Sequence, residues 1–467
     1  MCLLARAALL PTADTRRQRA QIHDDVAAIF VAHLPSWQAR AVARLPLRAA
    51  TATIADSSKA ANGLSTARRF IFLVLTPEPF DVFPTVTMPE NRLQRLHDAG
   101  QSIWLDFIDR SILRNGDLER RLRDDALTGM TSNPTIFEKA LAEGHDYDDQ
   151  LAAAPAGLTS LELFELVETS DVRDACDIFL PVYERTTGAD GYVSIEVSPA
   201  AANDANATVA EAQRLWSMVG RPNVMIKVPG TSEGASAVRQ LIGGGMNVNI
   251  TLLFAIEAHR SVIEAYFAGL EDRLRAGKPI DRVASVASFF VSRVDTEIDK
   301  RLDALAAASP VDRDRFLALR GKAAIANAQL AYRLFREEFS SARWAPLKAA
   351  GARLQRPLWA STSAKNPAYR DVLYVEQLIG PDTVNTMPPA TIEAFRDHGE
   401  VARTVDAQFS AAERTIADLA AVGIDLRDVT DKLLRDGLAS FQKSFDSLIA
   451  GLERKSAALG RDMVSSR

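Results

Sequence analysis

The segment Asn223-Val224-Met225-Ile226-Lys227-Val228-Pro229-Gly230-Thr231 places a primary amine in the middle of an apolar run that stops at Pro-Gly. The run is too short for a helix and is bounded by breakers, so it reads as a buried strand. Burial disfavours the charged form of a lysine. A lysine that is neutral near pH 7 is a nucleophile able to form a Schiff base with a carbonyl substrate. The ordinary alternative is an edge strand with Lys227 in solvent, since lysine is mostly exposed. Other apolar runs argue against it, because they too end in polar residues: Asp106, Asn133, Glu196, Asn249 with Thr251, Ser288, Ser361 and Asn385. One Asp or Asn at a strand end is commonly a turn former or a helix cap. A polar residue near the same end of each successive strand points to one shared pocket.

These residue types suit one reaction. A Schiff-base lysine needs a group that carries protons on and off the carbinolamine, and Glu196 on the neighbouring strand is placed for it. Thr251 could hold an intervening water. Asn133 and Asn249 are uncharged donors suited to substrate hydroxyls. Asp106 can take a hydroxyl proton as a carbon–carbon bond breaks. Arg293 follows the sixth strand and Lys365 the seventh; arginine binds phosphate bidentately and lysine as a point charge. The six histidines form no close pair of metal-ligand type, and neither a metal nor a cofactor is expected.

The elements that would carry these residues alternate. Strands are expected over 102–108, 127–134, 191–199, 223–229, 246–253, 283–290, 356–362 and 383–389. Helices are expected at 93–100, 118–126, 136–180 with a break near 154–159, 206–220 with Thr208 as a cap, 233–242, 255–270, 294–338 and 371–378. Two or three more fill 391–459. Strands alternating with helices argue for parallel βαβ units, and eight of them for a (β/α)8 TIM barrel with extra helices and a C-terminal helical segment. A doubly wound open sheet is the runner-up. No Gly-x-Gly-x-x-Gly follows a strand, and Gly243-Gly244-Gly245 precedes one, so the nucleotide fingerprint is missing. In a barrel the active site lies at the C-terminal ends of the strands, and phosphate sites often form from loops late in the chain.

The chain has 467 residues, 47% hydrophobic and 25% charged, with a net charge of −5. The composition is globular, and the acidic balance suggests no nucleic-acid partner and no anionic membrane surface. The most apolar run, Phe70 to Leu75, is far too short to span a bilayer. Two distant cysteines, Cys2 and Cys176, make no disulfide framework and fit a cytoplasmic location. Residues 1–87 differ from the rest, with 10 Lys+Arg against 6 Asp+Glu and no sustained hydrophobic period. Their composition touches that of a transit peptide. A disordered or mis-started extension fits better, with the catalytic domain over 88–467 and Met88 as the expected start.

The chain resembles the transaldolases. The stretches that carry the likeness are Thr131-Ser132-Asn133-Pro134-Thr135, Val193-Ser194-Ile195-Glu196-Val197, Met225 to Thr231, Asn249-Ile250-Thr251-Leu252-Leu253-Phe254 and Ser288-Phe289-Phe290-Val291-Ser292-Arg293. They come in the family's order, from about Met88 onward, and the insertions with Trp359-Ala360-Ser361-Thr362 are similar to the longer bacterial subfamily. The resemblance implies that Lys227 is the Schiff-base nucleophile and Glu196 the acid/base, acting through a water held by Thr251. It implies that Asp106 serves aldol cleavage, Asn133 and Asn249 bind a dihydroxyacetone unit, and Ser288 and Arg293 bind phosphate. Many members carry an arginine just after the Ala-Ser of the seventh strand; here Ser361-Thr362-Ser363 leads to Lys365, the expected second cation. The implied activity moves a three-carbon ketol unit between sugar phosphates; a class I aldolase and a non-catalytic sugar-phosphate-binding barrel are the alternatives. A homodimer is expected from the family.

Overall fold

The computed structural model describes residues 91–132 and 144–460. The expectations for residues 1–87, for Asn133 and for the start of the 136–180 helix lie outside the described residues.

Eight strands close into a parallel barrel in chain order. They are β1 (Gln101–Asp106), β2 (Leu127–Thr131), β3 (Tyr192–Glu196), β4 (Val224–Pro229), β5 (Val248–Leu253), β6 (Ser285–Phe290), β7 (Gln355–Ala360) and β8 (Thr383–Met387). The helices run in order as α1 (Arg92–Asp98), α2 (Arg110–Arg114), α3 (Asp117–Asp124), α4 (Asp148–Ala153), α5 (Ser160–Arg185), α6 (Ala205–Val219), α7 (Ser232–Gly244) and α8 (Ile256–Arg275). They continue as α9 (Ser292–Ala308), α10 (Arg313–Leu317), α11 (Ala323–Glu338), α12 (Trp344–Ala349), α13 (Leu373–Glu376), α14 (Pro389–His398), α15 (Phe409–Ala421) and α16 (Leu426–Ala458).

The strands read as apolar runs because helices cover the sheet outside and side chains fill it inside. Successive residues point to opposite faces. Ile103, Leu105, Ile195, Ile226, Ile250, Phe289 and Trp359 join the large core shared with the helices. Trp104, Tyr192, Met225, Val286, Leu358 and Val384 form a second apolar cluster, the packed floor of the barrel interior. Two residues further along the same strands come Asp106, Ser194, Lys227, Ser288, Ala360 and Thr386. These six of the eight strands thus supply an apolar plug below and, apart from Ala360, a polar side chain above it.

Several boundaries differ from the sequence reading. The first strand stops at Asp106 rather than Ile108, and the helix α2 behind it was not expected; Asp109 caps it by accepting from Ile112 N at 2.8 Å. Helix α6 is capped by Asp204, not Thr208. The Asp204 carboxylate accepts from Asn206 N and Ala207 N at 2.9 and 3.0 Å. Thr208 lies inside the first turn, its hydroxyl donating to Ala201 O at 2.7 Å. The break at 154–159 is present and ends at a capping box between Thr159 and Glu162, which starts α5; that helix continues past Leu180, through Pro181, to Arg185. Among the described residues no helix is long and apolar enough to cross a membrane.

Candidate active site

The pocket opens at the C-terminal ends of the strands and holds a cavity of about 330 Å³. Asp106, Glu196, Lys227, Thr251, Ser288, Arg293 and Lys365 all line it. Strands β1, β3, β4, β5 and β6, the first turn of α9 and the loop after β7 bring these seven together from across some 260 residues of sequence.

At the centre, Glu196 and Lys227 are register partners on β3 and β4. Glu196 Oε2 lies 2.8 Å from Lys227 Nζ, with the two side chains 8% and 12% exposed. Parallel neighbours in register point the same way, so the pair meets directly, where the resemblance put a water between them. Lys227 Nζ also donates to the carbonyl of Ser132 at 3.3 Å. Thr251, two residues past Lys227's register partner on β5, stands in the wall above. Behind Glu196, Glu168 on α5 is buried; desolvation, then the charges of Glu196, Glu165 and Glu211, push its carboxyl well above the usual range.

Asp106 ends β1, two strands round the barrel from Glu196. It accepts from Thr131 Oγ1 at 2.9 Å, and that hydroxyl also meets Thr386 Oγ1 at 2.8 Å. Arg293, the second residue of α9, reaches the pocket with its guanidinium 5.2 Å from the centre of the Phe290 ring. Desolvation in the pocket wall lowers its pKa from the ordinary value, and Asp106 works the other way. Lys365 Nζ donates to Ser363 Oγ at 2.7 Å. Its pKa is lowered too, first by desolvation and then by the Arg293 charge, with Asp106 again opposing. The two cations therefore share one rim of the pocket and sense each other.

Two residues picked from sequence sit elsewhere. Asn249 is the register partner of Lys227 but is fully buried and does not line the cavity. Its side chain is too short to rise to the level of the lysine amine. Its Nδ2 donates to Ser194 Oγ at 3.0 Å, and its Oδ1 accepts from Ser288 Oγ at 2.6 Å. It therefore acts on the pocket through Ser288. Asn385 faces outward from the barrel, accepting from Thr362 Oγ1 at 2.9 Å; its neighbour Thr386 lines the pocket instead.

One wall was missed altogether. Gly437, Ser440, Phe441 and Ser444 of α16 line the cavity from above. They fall on one helical face at i, i+3, i+4 and i+7. A Cβ on Gly437 would sit 3.1 Å from Leu252 Cδ2 and 3.9 Å from Arg293 Nη1. A glycine inside a helix costs about 1 kcal/mol against alanine, so its presence in a 33-residue helix was a readable sign of close approach. Leu252, which it meets, has φ +58, and Ser361 across the pocket has φ +56. Both are left-handed conformations that side chains disfavour, and both lie in the pocket lining.

Residues 103–452 match the family model described as Transaldolase/Fructose-6-phosphate aldolase. The chain belongs to this family. It is similar to a transaldolase of Thermobifida fusca, 48% identical over 368 residues, which covers 78% of this chain and 98% of the relative. It is similar to transaldolase 2 of a Nostoc species, 47% identical over 374 residues, 79% of this chain and 98% of that one. A transaldolase of Mycolicibacterium smegmatis is 47% identical over 361 residues, 76% and 95% of the two chains. The closed eight-stranded barrel is the fold expected of the family.

Proposed function

We propose that this protein is a transaldolase. It transfers a dihydroxyacetone unit from sedoheptulose 7-phosphate or fructose 6-phosphate to glyceraldehyde 3-phosphate or erythrose 4-phosphate. The observation that carries the reading is the 2.8 Å pair of Lys227 and Glu196 inside a pocket rimmed by Arg293 and Lys365, in a chain of this family.

The geometry supports the following chemistry. Glu196 takes a proton from the Lys227 ammonium, and the free amine attacks the ketose carbonyl carbon. Glu196 returns the proton to the carbinolamine oxygen, which leaves as water and gives the Schiff base. Asp106 then takes the proton of the C4 hydroxyl. The C3–C4 bond breaks, an aldose phosphate departs, and its electron pair stays on Lys227 as an enamine. The enamine attacks the carbonyl of the incoming aldose phosphate, Asp106 gives its proton to the new hydroxyl, and water releases the product ketose. Ser288, which the resemblance gave to the phosphate, is held by Asn249, the register partner of Lys227, and is therefore proposed to meet the three-carbon unit instead; Asn133 is proposed to meet it too. Arg293 and Lys365 hold the phosphate, a dianion set against two cations. The apolar Phe290, Leu252 and Phe441 around the cavity limit water at the waiting enamine. A cytoplasmic location and a homodimer belong to this reading.

The test is product formation from fructose 6-phosphate with and without erythrose 4-phosphate. Sedoheptulose 7-phosphate formed only with acceptor supports the transferase. Glyceraldehyde 3-phosphate released equally fast without acceptor would make the protein an aldolase, and no product in either mixture would overturn the reading.

A further inference from the structure

Helix α9 begins with Ser292 and Arg293 and turns one face to the connection between β7 and β8. Ser292 N donates to Ser361 O at 3.0 Å, and the two hydroxyls lie 3.0 Å apart. One turn on, Asp295 Oδ2 accepts from Tyr374 OH at 2.9 Å. A turn beyond, Asp299 Oδ2 accepts from Tyr369 OH at 2.5 Å. Positions 292, 295 and 299 fall on one helical face, so the first three turns of the helix are tied to one loop.

The far side of each aspartate is also fixed. Asp295 Oδ1 accepts from Ala324 N at 2.8 Å, and Asp299 Oδ1 from Gly321 N at 3.1 Å. Gly321 lets the Tyr369 ring close in: a Cβ there would meet the ring at 2.9 Å, and its φ is +69. Neither tyrosine nor aspartate lines the cavity, and the reaction above uses none of them. What the tied elements carry is Arg293 at the start of the helix and Lys365 in the loop, between the fixed points Ser361 and Tyr369. Two like charges on one rim repel, so their spacing has to be imposed from outside.

We propose that Tyr369 and Asp299 are a positioning pair that holds the Lys365 loop against α9, fixing Lys365 and Arg293 as a two-point clamp for the phosphate of the acceptor. The proposal rests on the reading of Arg293 and Lys365 as phosphate ligands. Tyr369→Phe removes one hydroxyl and keeps the ring packed on Gly321.

The experiment compares acceptors with and without phosphate. In a double-displacement reaction, kcat/KM for the acceptor reports the second half-reaction alone. It is measured for erythrose 4-phosphate and for erythrose in the wild type, Tyr369→Phe, Lys365→Met and the double variant. In Tyr369→Phe the ratio of the two kcat/KM values is expected to fall about 3- to 10-fold, the worth of one hydrogen bond. Lys365→Met is expected to lower the same ratio further, and Tyr369→Phe to add nothing once Lys365 is gone. An unchanged ratio in Tyr369→Phe, or an equal loss with both acceptors, would overturn the pair's role, since a merely structural contact would move both alike. Additive losses in the double variant would also overturn it. An unchanged ratio in Lys365→Met would instead remove the phosphate reading itself, and the proposal with it.

Discussion

Replacing Glu196 with glutamine keeps the shape of the side chain and removes its ability to accept a proton. The carboxylate touches Lys227 directly at 2.8 Å. Among the described residues lining the pocket, the other carboxylate is Asp106, on β1, two strands further round the barrel. Glu168 lies behind Glu196 and does not line the pocket, so among the described residues no second carboxylate lines it at the lysine, and the full worth of one acid/base is expected to be lost: about 10²- to 10⁴-fold in Schiff-base formation, or roughly 3–5 kcal/mol of barrier lowering. Glu196→Asp retracts the carboxylate by about one carbon–carbon bond, ~1.5 Å, which puts it beyond direct hydrogen-bond reach of the amine. It keeps a base that one water can bridge, so its loss should fall between wild type and Glu196→Gln. The assay is single-turnover formation of the adduct from fructose 6-phosphate, with thermal unfolding as a control on folding. A Glu196→Gln enzyme within about threefold of wild type, or Glu196→Asp slower than Glu196→Gln, would refute the direct proton-transfer role.

Two further outcomes concern stability. A Cβ on Gly129 would lie 2.5 Å from the Trp104 ring, which is fully buried and donates from Nε1 to Asp190 Oδ1 at 2.9 Å; Gly129→Ala should cost about 2–5 kcal/mol from overpacking and the disturbed hydrogen bond, and an unchanged Tm would contradict the packing of the barrel floor. Burial pushes the Asp295 carboxyl up to about 7, from an ordinary 3.8. The folded protein then keeps a proton that the unfolded chain has lost, so this group's contribution is best below about pH 4 and declines as pH rises through 7. Asp295→Asn should therefore gain on the wild type between pH 5 and pH 8, by on the order of 2–3 kcal/mol, in denaturant midpoints; a difference that does not change with pH would count against the buried acid.

Much of the fold was legible because each barrel strand is buried on both faces and therefore stands out as a short apolar run between breakers. The same logic exposed the site: a polar residue costs something in such a run, and Asp106, Glu196, Lys227, Thr251 and Ser288 all meet in one cavity. What sequence could not resolve was which way a polar residue turns and how far it reaches. Asn385 and Thr386 are adjacent, yet one faces the helix layer and the other the pocket. Asn249 shares a register level with Lys227 and stays below the cavity because its side chain is short. The wall from α16 depends on where a late helix returns across the barrel mouth. Its ends are fixed by pairs such as Arg301–Asp428 at 2.6 Å and Lys455–Asp148 at 2.7 Å, contacts between residues far apart in the chain. The short helix α2 was lost because five residues hold too little periodicity to be seen.

Lys227 is the residue proposed to carry the substrate. Borohydride reduction in the presence of fructose 6-phosphate, followed by peptide mass mapping, tests it most directly. A reduced three-carbon adduct is expected on Lys227, and none in Lys227→Ala protein that remains folded. An adduct on another lysine, or no adduct on folded wild-type protein, would contradict it.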